Sequence, residues 1–371
     1  MLFYWFFPFA IIISSFICVI FATNFFIIPF IWVLIVVPII DFFMPKLNIP
    51  KSKLTNSIGH SAALLAVVPT ILLLLILSLL KIRGANIDFI DALCIGLGTG
   101  ITGGAVGITT AHEFIHRKSK FLRGLGIFLL SVCFYRHFRI EHIYGHHMHV
   151  ATLNDPATAR KGENFYAFLI RCVFLSIASA WLIEKKLLLS KNISIFNYKN
   201  RMFQYFIFHL TVLVTCFSFA GFKGIIFIFA YALVSIILLE VVEYIQHYGL
   251  IRDNTNNKLE KYNQSHSWNS RHSIADWSTF NLGLHSEHHS IANKEYPLLS
   301  HDEKPKEMPA NYPTMILMAL IPPIWFMVMD NKIKPYDLKL ITFHFPNLVI
   351  LVNSLKILHH HILNLPKNFL N

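Results

Sequence analysis

Cysteine and charge are both in short supply in this chain, and each shortage excludes something. Five cysteines (Cys18, Cys94, Cys133, Cys172 and Cys216) stand singly along 371 residues. There is therefore no disulfide framework and no CxxC iron or zinc knuckle, and any electron carrier must be another polypeptide. Charged residues make up only 14% of the chain against 55% hydrophobic, with 34 Phe, and the mean hydropathy is +0.54. Such a composition excludes a water-soluble globule and indicates a membrane protein. Acidic residues are outnumbered 20 to 32, for a formal charge of +12. The lysines and arginines flank apolar runs instead of forming one stripe with interleaved aromatics, so nucleic acid is excluded as a partner and positive-inside topology explains the excess.

Histidine is what the chain has in abundance. Seven of its twenty histidines fall between His112 and His149. In HEFIHR, His112 and His116 are four apart, which on a helix stacks both imidazoles on one face toward one ion. In EHIYGHHMHV, His142 and His146 repeat that spacing, and His147 points about 100° away around the same helix, so one turn can serve two neighbouring metals. A third cluster, HSEHH, supplies His285, His288 and His289, and His247 follows Glu243 in EVVEYIQHYGLIR. A single imidazole is ordinarily a hydrogen-bonded core or surface group; three clusters at ligand spacing ask for metal. Imidazole ligation fits Fe, Zn, Cu or Ni, and affinity order alone favours copper or zinc over ferrous iron. Nine imidazoles exceed what one ion accepts, so two ions with five and four ligands is the economical assignment. Carboxylates should orient such ligands from behind; the candidates are Glu113, Glu141, Asp155, Glu240, Glu243 and Glu287, each near a proposed ligand.

The same segments, HEFIHR, EHIYGHHMHVATLNDPATAR, EYIQHYGLIR, HSWNSRH and LHSEHHSIANKEYPLL, resemble the motif set of the integral-membrane alkane 1-monooxygenases and the related xylene monooxygenase hydroxylase, within the membrane fatty-acid desaturase and hydroxylase superfamily. The resemblance runs from about Pro38 to about Asp330. It departs from the family pattern twice. Where the family usually reads Asn-Tyr-x-Glu-His-Tyr-Gly, this chain has Glu243-Tyr244-Ile245-Gln246-His247-Tyr248-Gly249, moving the acid from beside the histidine to one turn before it. The usual Gln-Arg before the third cluster is Gly283-Leu284, and an Arg-rich segment after it has become IANKEYPLL.

Taken in order, the chain predicts an all-α integral membrane protein with six transmembrane helices and a cytoplasmic, histidine-rich, desaturase-like cap. The spans are about 2–23, 25–40, 60–80, 89–110, 203–219 and 225–244, each long enough or nearly so to cross a core of about 30 Å. The first has neither a basic start nor a small-residue cleavage site and reads as a retained span. Glycines at 96, 98, 100, 103, 104 and 107 let the fourth span approach its neighbours closely. Stretch 121–138 must lie along the interface or dip in and return, because a full crossing would separate His112 from His142. Stretch 165–189, broken by Arg171, Glu184, Lys185 and Lys186, reads as an amphipathic interfacial helix. Six crossings put all nine histidines, and both termini, on the cytoplasmic face of an inner membrane. Residues 1–250 form the membrane part with the first two histidine boxes, 251–330 a polar lobe returning the third, and 331–371 a tail. His266, His272, His137 and His149 are not counted as ligands, nor is the tail triplet His359, His360 and His361.

The resemblance implies a non-haem di-iron monooxygenase: two Fe2+ ions and O2 hydroxylate a terminal methyl group of a hydrophobic substrate drawn from the bilayer lipid, with electrons from a rubredoxin-type carrier and its reductase. Arg117, Lys118, Lys120 and residues near Lys185 would dock that acidic carrier or contact anionic lipid heads. Side chains near Trp32 and Val33 should line the substrate tunnel. Two alternatives stay open: a fatty-acyl desaturase or lipid hydroxylase of the same superfamily, and a divalent-metal transporter, which would instead place ligands at mid-membrane.

Overall fold

The structure is a computed structural model that describes residues 3–21, 25–46, 58–255, 258–300 and 305–333. Lys51, Lys53 and the triplet His359 to His361, with nearly all of segment 331–371, lie outside the described residues. The fold is mostly helical. Its apolar helices are α1 (Phe3–Phe21), α2 (Ile28–Phe43), α3 (Ile58–Ile82) and α4 (Phe89–Ile115). Next come α5 (Lys120–Val132), α6 over residues 138–149, α7 (Phe165–Leu189) and α8 (Arg201–His247).

Among the described residues, four helices are long and apolar enough to cross a membrane: 59–82, 89–115, 165–189 and 201–247. That set leaves out the expected spans 2–23 and 25–40, whose helices α1 and α2 are apolar but shorter, and it differs from the expected six in two further ways. First, α8 is interrupted at Gly221, whose φ of 60° and ψ of −147° are not helical, a conformation that costs glycine little. Phe134 packs against His209 on one side of the break and Phe229 on the other, so the two legs run side by side as the expected hairpin. Second, α7 meets the length criterion although its sequence suggested an interfacial course. Its geometry favours the latter: Tyr244 donates to the carbonyl of Glu163 at its start (2.7 Å), and Ile183 near its end lies against Gly145, so both ends stand at the level of the second histidine box.

Two lysines mark the opposite end of the bundle. Lys81 donates to Ile20 O (2.9 Å), and Lys223, just past the Gly221 break, donates to Ile87 O (2.9 Å). The last turn of α1, the link after α3 and the break inside α8 therefore share one level, while His116, His247 and the end of α2 share the other. In stretch 121–138 the chain dips and returns. Gly126 of α5 lies against Ala111 of α4, Phe134 reaches Phe229, and Tyr135 has already turned back to donate to Glu240 (2.7 Å).

The described polar residues between 250 and 311 fold over the histidine end around short helices, α9 (Ser273–Ser278) and α10 (His285–Ser290), and a parallel strand pair, Trp268–Asn269 with Lys306–Glu307. The apolar helices α11 (Tyr312–Ala319) and α12 (Pro322–Met329) close the described chain. The lobe is tied to the bundle by Asp41 at the end of α2, which accepts from the backbone N–H groups of Ile274 and Ala275 (2.6 and 3.0 Å) and so satisfies orphan donors of α9.

Helix α4 and the second leg of α8 touch along the glycine stripe. A Cβ at Gly96 would stand 2.5 Å from Phe227 O, at Gly100 2.8 Å from Tyr231 O, and at Gly104 2.8 Å from Leu238 Cβ. In lipid, such close backbone approach supplies the association that the hydrophobic effect does not. Gly100→Val is expected to destabilise the fold by about 1–3 kcal/mol, as overpacking does. A lower melting temperature by fluorescence-detected size exclusion checks this; an unchanged one contradicts the packing described.

Candidate metal centre

The structure brings all nine histidines together, in two groups. His112, His116, His142, His147 and His288 form one, and His146, His247, His285 and His289 the other, the ligand atoms within each lying within 4.8 Å of one another. The division into five and four was expected; the membership was not. His142 and His146 are four apart but face different groups, because residues His142–His146 form a π-turn. There the N–H of His147 donates to His142 O, an i→i+5 bond. Residues five apart on an α-helix diverge by about 140°; the wider turn brings them onto one side, and the Nε2 atoms of His142 and His147 lie 3.0 Å apart. His146 is turned to the second group, 3.2 Å from His289 Nε2.

The third box is shared in the same way. His288 faces the first group, while His285 and His289, one α-turn apart, face the second with their Nε2 atoms at 2.9 Å. His112 Nε2 lies 2.8 Å from His142 Nε2, and His247 Nε2 3.0 Å from His285 Nε2. Two nitrogens each about 2.1 Å from one ion and at right angles to it would be about 3.0 Å apart. The Nε2 atoms of His116 and His288 are buried with no hydrogen-bond partner. Orphaned nitrogens aimed into a cluster of nitrogens at that spacing fit cations.

The six carboxylates divide by what they touch. Asp155 stands behind His146, its Oδ2 2.9 Å from Nδ1, and is held by Thr158 Oγ1 (2.6 Å) and the N–H of Ala157 (3.0 Å). Glu113 accepts from Arg117 (2.6 Å) and from the N–H of Tyr296 (3.0 Å), and Glu287 holds Lys294 and the Ser300 hydroxyl (2.5 and 3.1 Å). Glu113 thereby ties the segment after the third box to α4, and Glu287 ties the third box to that same segment. Glu240 accepts from Tyr135. Glu141 fills the space over Gly145, where a Cβ would come within 2.5 Å of its Oε1. Glu243 stands in front, 3.7 Å from the Nε2 atoms of both His146 and His247.

Other expectations shift. Arg117 is committed to Glu113 and Glu295, which removes it from the basic docking surface, whereas Lys118, Lys120 and Lys185 are exposed. His266 pairs with Glu260 (3.3 Å), and neither it nor His137, His149 or His272 belongs to a histidine group. An apolar cavity ends on the site: Val33, Ile108, Leu238, Val242 and Ile316 line it, and His112, His285 and Glu243 close it. Val33 lines the cavity as expected; Trp32 packs on the neighbouring core. Sequence reasoning missed Asp41, and Tyr312, which accepts from Gln246 Nε2 (2.7 Å). Both partnerships join residues far apart in the chain and leave no local signal.

A fatty acid desaturase family model matches residues 90–317. The chain is similar to alkane 1-monooxygenase 1 of Pseudomonas aeruginosa, 37% identical over 241 residues, which are 65% of this chain and 63% of the relative. It is similar to alkane 1-monooxygenase 1 of Alcanivorax borkumensis, 31% identical over 306 residues, 81% of this chain and 76% of the relative. The xylene/toluene monooxygenase hydroxylase component of Pseudomonas putida is 27% identical over 232 residues, 62% of this chain and 61% of the relative. The chain thus spans a little under two thirds of the first of these relatives.

Burial, reinforced by neighbouring imidazoles, holds His142, His147, His285, His288 and His289 well below the ordinary 6.5. His146 differs: burial alone would lower it, but Asp155 and Glu243 lift it to about 9, so that position favours a positive charge, whether a proton or a metal. For the depressed histidines the unfolded chain takes up protons first. The stability gained by keeping them neutral is complete above pH 6.5 and is lost as pH falls below it. The metal-free chain should therefore melt at progressively lower temperature between about pH 7 and about pH 5; a pH-independent melt contradicts this burial. Asp155→Asn is expected to weaken metal binding at the four-histidine group by about 10–100-fold, measured by chelator competition, and to spare the other group.

Proposed function

Because the chain belongs to the fatty acid desaturase family, among its alkane 1-monooxygenases, we propose that it is a membrane monooxygenase that hydroxylates the terminal methyl group of an alkane or alkyl chain. Two ferrous ions, held by the five-histidine and four-histidine groups, would supply the reductive activation of O2. One substrate molecule, O2, two electrons and two protons give a primary alcohol and water. The single observation that carries this reading is the apolar cavity that ends on His112 of one group and His285 of the other. A transporter would need ligands along a crossing path, whereas these are gathered at one end of the bundle.

The chain's own residues have definable tasks. Asp155 accepts from His146 Nδ1, which fixes the tautomer and leaves the Nε2 lone pair facing the site. Val33, Ile108, Leu238 and Val242 exclude water from the end of an alkyl chain and align it along the cavity, so that reacting groups meet at short range. Thr109, the polar side chain of α4 in that wall, has its hydroxyl committed to Ala105 O (2.9 Å) and presents no free donor to a hydrocarbon. In this reading α1 to α4 and the two legs of α8 are six crossings of an inner membrane, with the histidine end and both termini cytoplasmic. Residues 251–330 act as the lobe that delivers the third box. Lys118, Lys120 and Lys185 offer an acidic rubredoxin-type carrier, recharged by its reductase, a landing surface.

The test is metal analysis of the purified protein with a panel of alkanes, alkylbenzenes and fatty acyl chains under rubredoxin and reductase. Two irons per chain and a primary alcohol are expected; a double bond in the product moves the chain to the desaturases, and one zinc with no oxygen consumption removes the mechanism. Val33→Phe should shorten the longest alkyl chain hydroxylated while a short substrate retains most of its rate, read by gas chromatography. An unchanged length profile contradicts the cavity as substrate channel.

A further inference from the structure

We infer that Glu243 is a direct ligand of the four-histidine ion, on the side facing the five-histidine ion, rather than a support behind a ligand. The inference rests on the two-ion reading above and concerns a residue that the reading leaves without a task. Two carboxylates touch His146, and they do so on opposite edges of its ring. Asp155 meets Nδ1 at 2.9 Å, the edge turned away from the cluster. Glu243 Oε2 approaches Nε2 at 3.7 Å, the edge turned into it, and lies equally far from His247 Nε2.

No hydrogen bond claims that oxygen. Oε2 is buried without a partner, on a side chain only 4% exposed. An unpaired buried carboxylate oxygen is costly, and a cation shared with the two imidazoles removes that cost. A separation of 3.7 Å between donors each about 2.1 Å from one ion corresponds to an angle of about 120° at the ion, an ordinary coordination angle. The carboxylate also groups with His142, a member of the other set, and with His146, which places it between the two ions.

The neighbouring side chain points elsewhere. Gln246, beside His247, donates to Tyr312, so it supplies no negative charge to the cluster.

Cobalt(II) titration of the full chain in detergent, followed by visible absorption and chelator competition, tests this. Wild type should take two ions. Glu243→Gln should keep the five-histidine ion at unchanged affinity, lose at least about tenfold at the other, as loss of even an indirect support does, and change the absorption envelope of the remaining four-imidazole site. Asp155→Asn, which acts from behind, should lower affinity while leaving that envelope as in wild type. Glu243→Asp keeps the charge with a shorter reach and should shift the envelope without abolishing the second ion, which keeps the test decisive if the Gln variant does not fold. Two ions in wild type, with both held equally well and an unchanged spectrum in Glu243→Gln and Glu243→Asp, overturn this inference alone. Fewer than two ions in wild type overturn the reading beneath it, and the inference with it.

Discussion

Nine buried or half-buried imidazoles gathered into two groups, with neighbouring Nε2 atoms of seven of them about 3 Å apart, set the terms for the rest of this structure. A neutral imidazole has one donor and one acceptor nitrogen, so rings that all turn the same nitrogen inward cannot satisfy each other. Protonation would charge the cluster against itself, and burial resists it. Two bound cations, as proposed, would remove the conflict, and the scaffold can be understood as the means of bringing four separate segments together. The ends of α4 and α8 arrive from the membrane, α6 arrives from the re-entrant turn, and α10 arrives from the lobe. Each arrival is tied down by a carboxylate that is not itself among the ligand groups of five and four, such as Glu113 on Tyr296 and Glu287 on Ser300.

Much of this was legible in the sequence because it rests on local periodicity. Helical spacing placed His112 beside His116, and the glycine stripe predicted a close approach of α4 to a neighbouring helix, which is α8. The requirement that His112 and His142 share a site is enough to make stretch 121–138 return. What could not be read was anything that changes the period or depends on distant partners. The π-turn at His142–His146 exchanges the roles of His146 and His147, and nothing in the residues EHIYGHH distinguishes an i→i+5 bond from an i→i+4 one. Arg117 looked like surface charge because its second partner, Glu295, lies far along the chain.

Departures from the family's motif acquire a structural meaning in the same way. Moving the acid from position 246 to position 243 looks conservative on a helix, since the two lie about one turn apart. In three dimensions it exchanges what faces the imidazoles: a carboxylate stands before His146 and His247, while the amide is drawn off to Tyr312. The motif's composition is nearly preserved while its electrostatics are rearranged, which changes the charge available to balance a dication.

The Asp41 cap joins two parts of the molecule that would otherwise be independent. Helix α2 provides Val33 and Val37 to the cavity wall, and its last turn is hydrogen-bonded to the start of α9, whose Ala275 and Ser278 line the same cavity shortly before the third box. Wall and box are thereby mechanically in series. A guest too wide for the channel cannot push α2 aside without dragging the segment that delivers His285, so steric misfit at one end is felt as disturbed coordination at the other. In a monooxygenase of the kind proposed, discrimination by size would then be exercised through the readiness of the reacting centre as well as through occupancy of the slot.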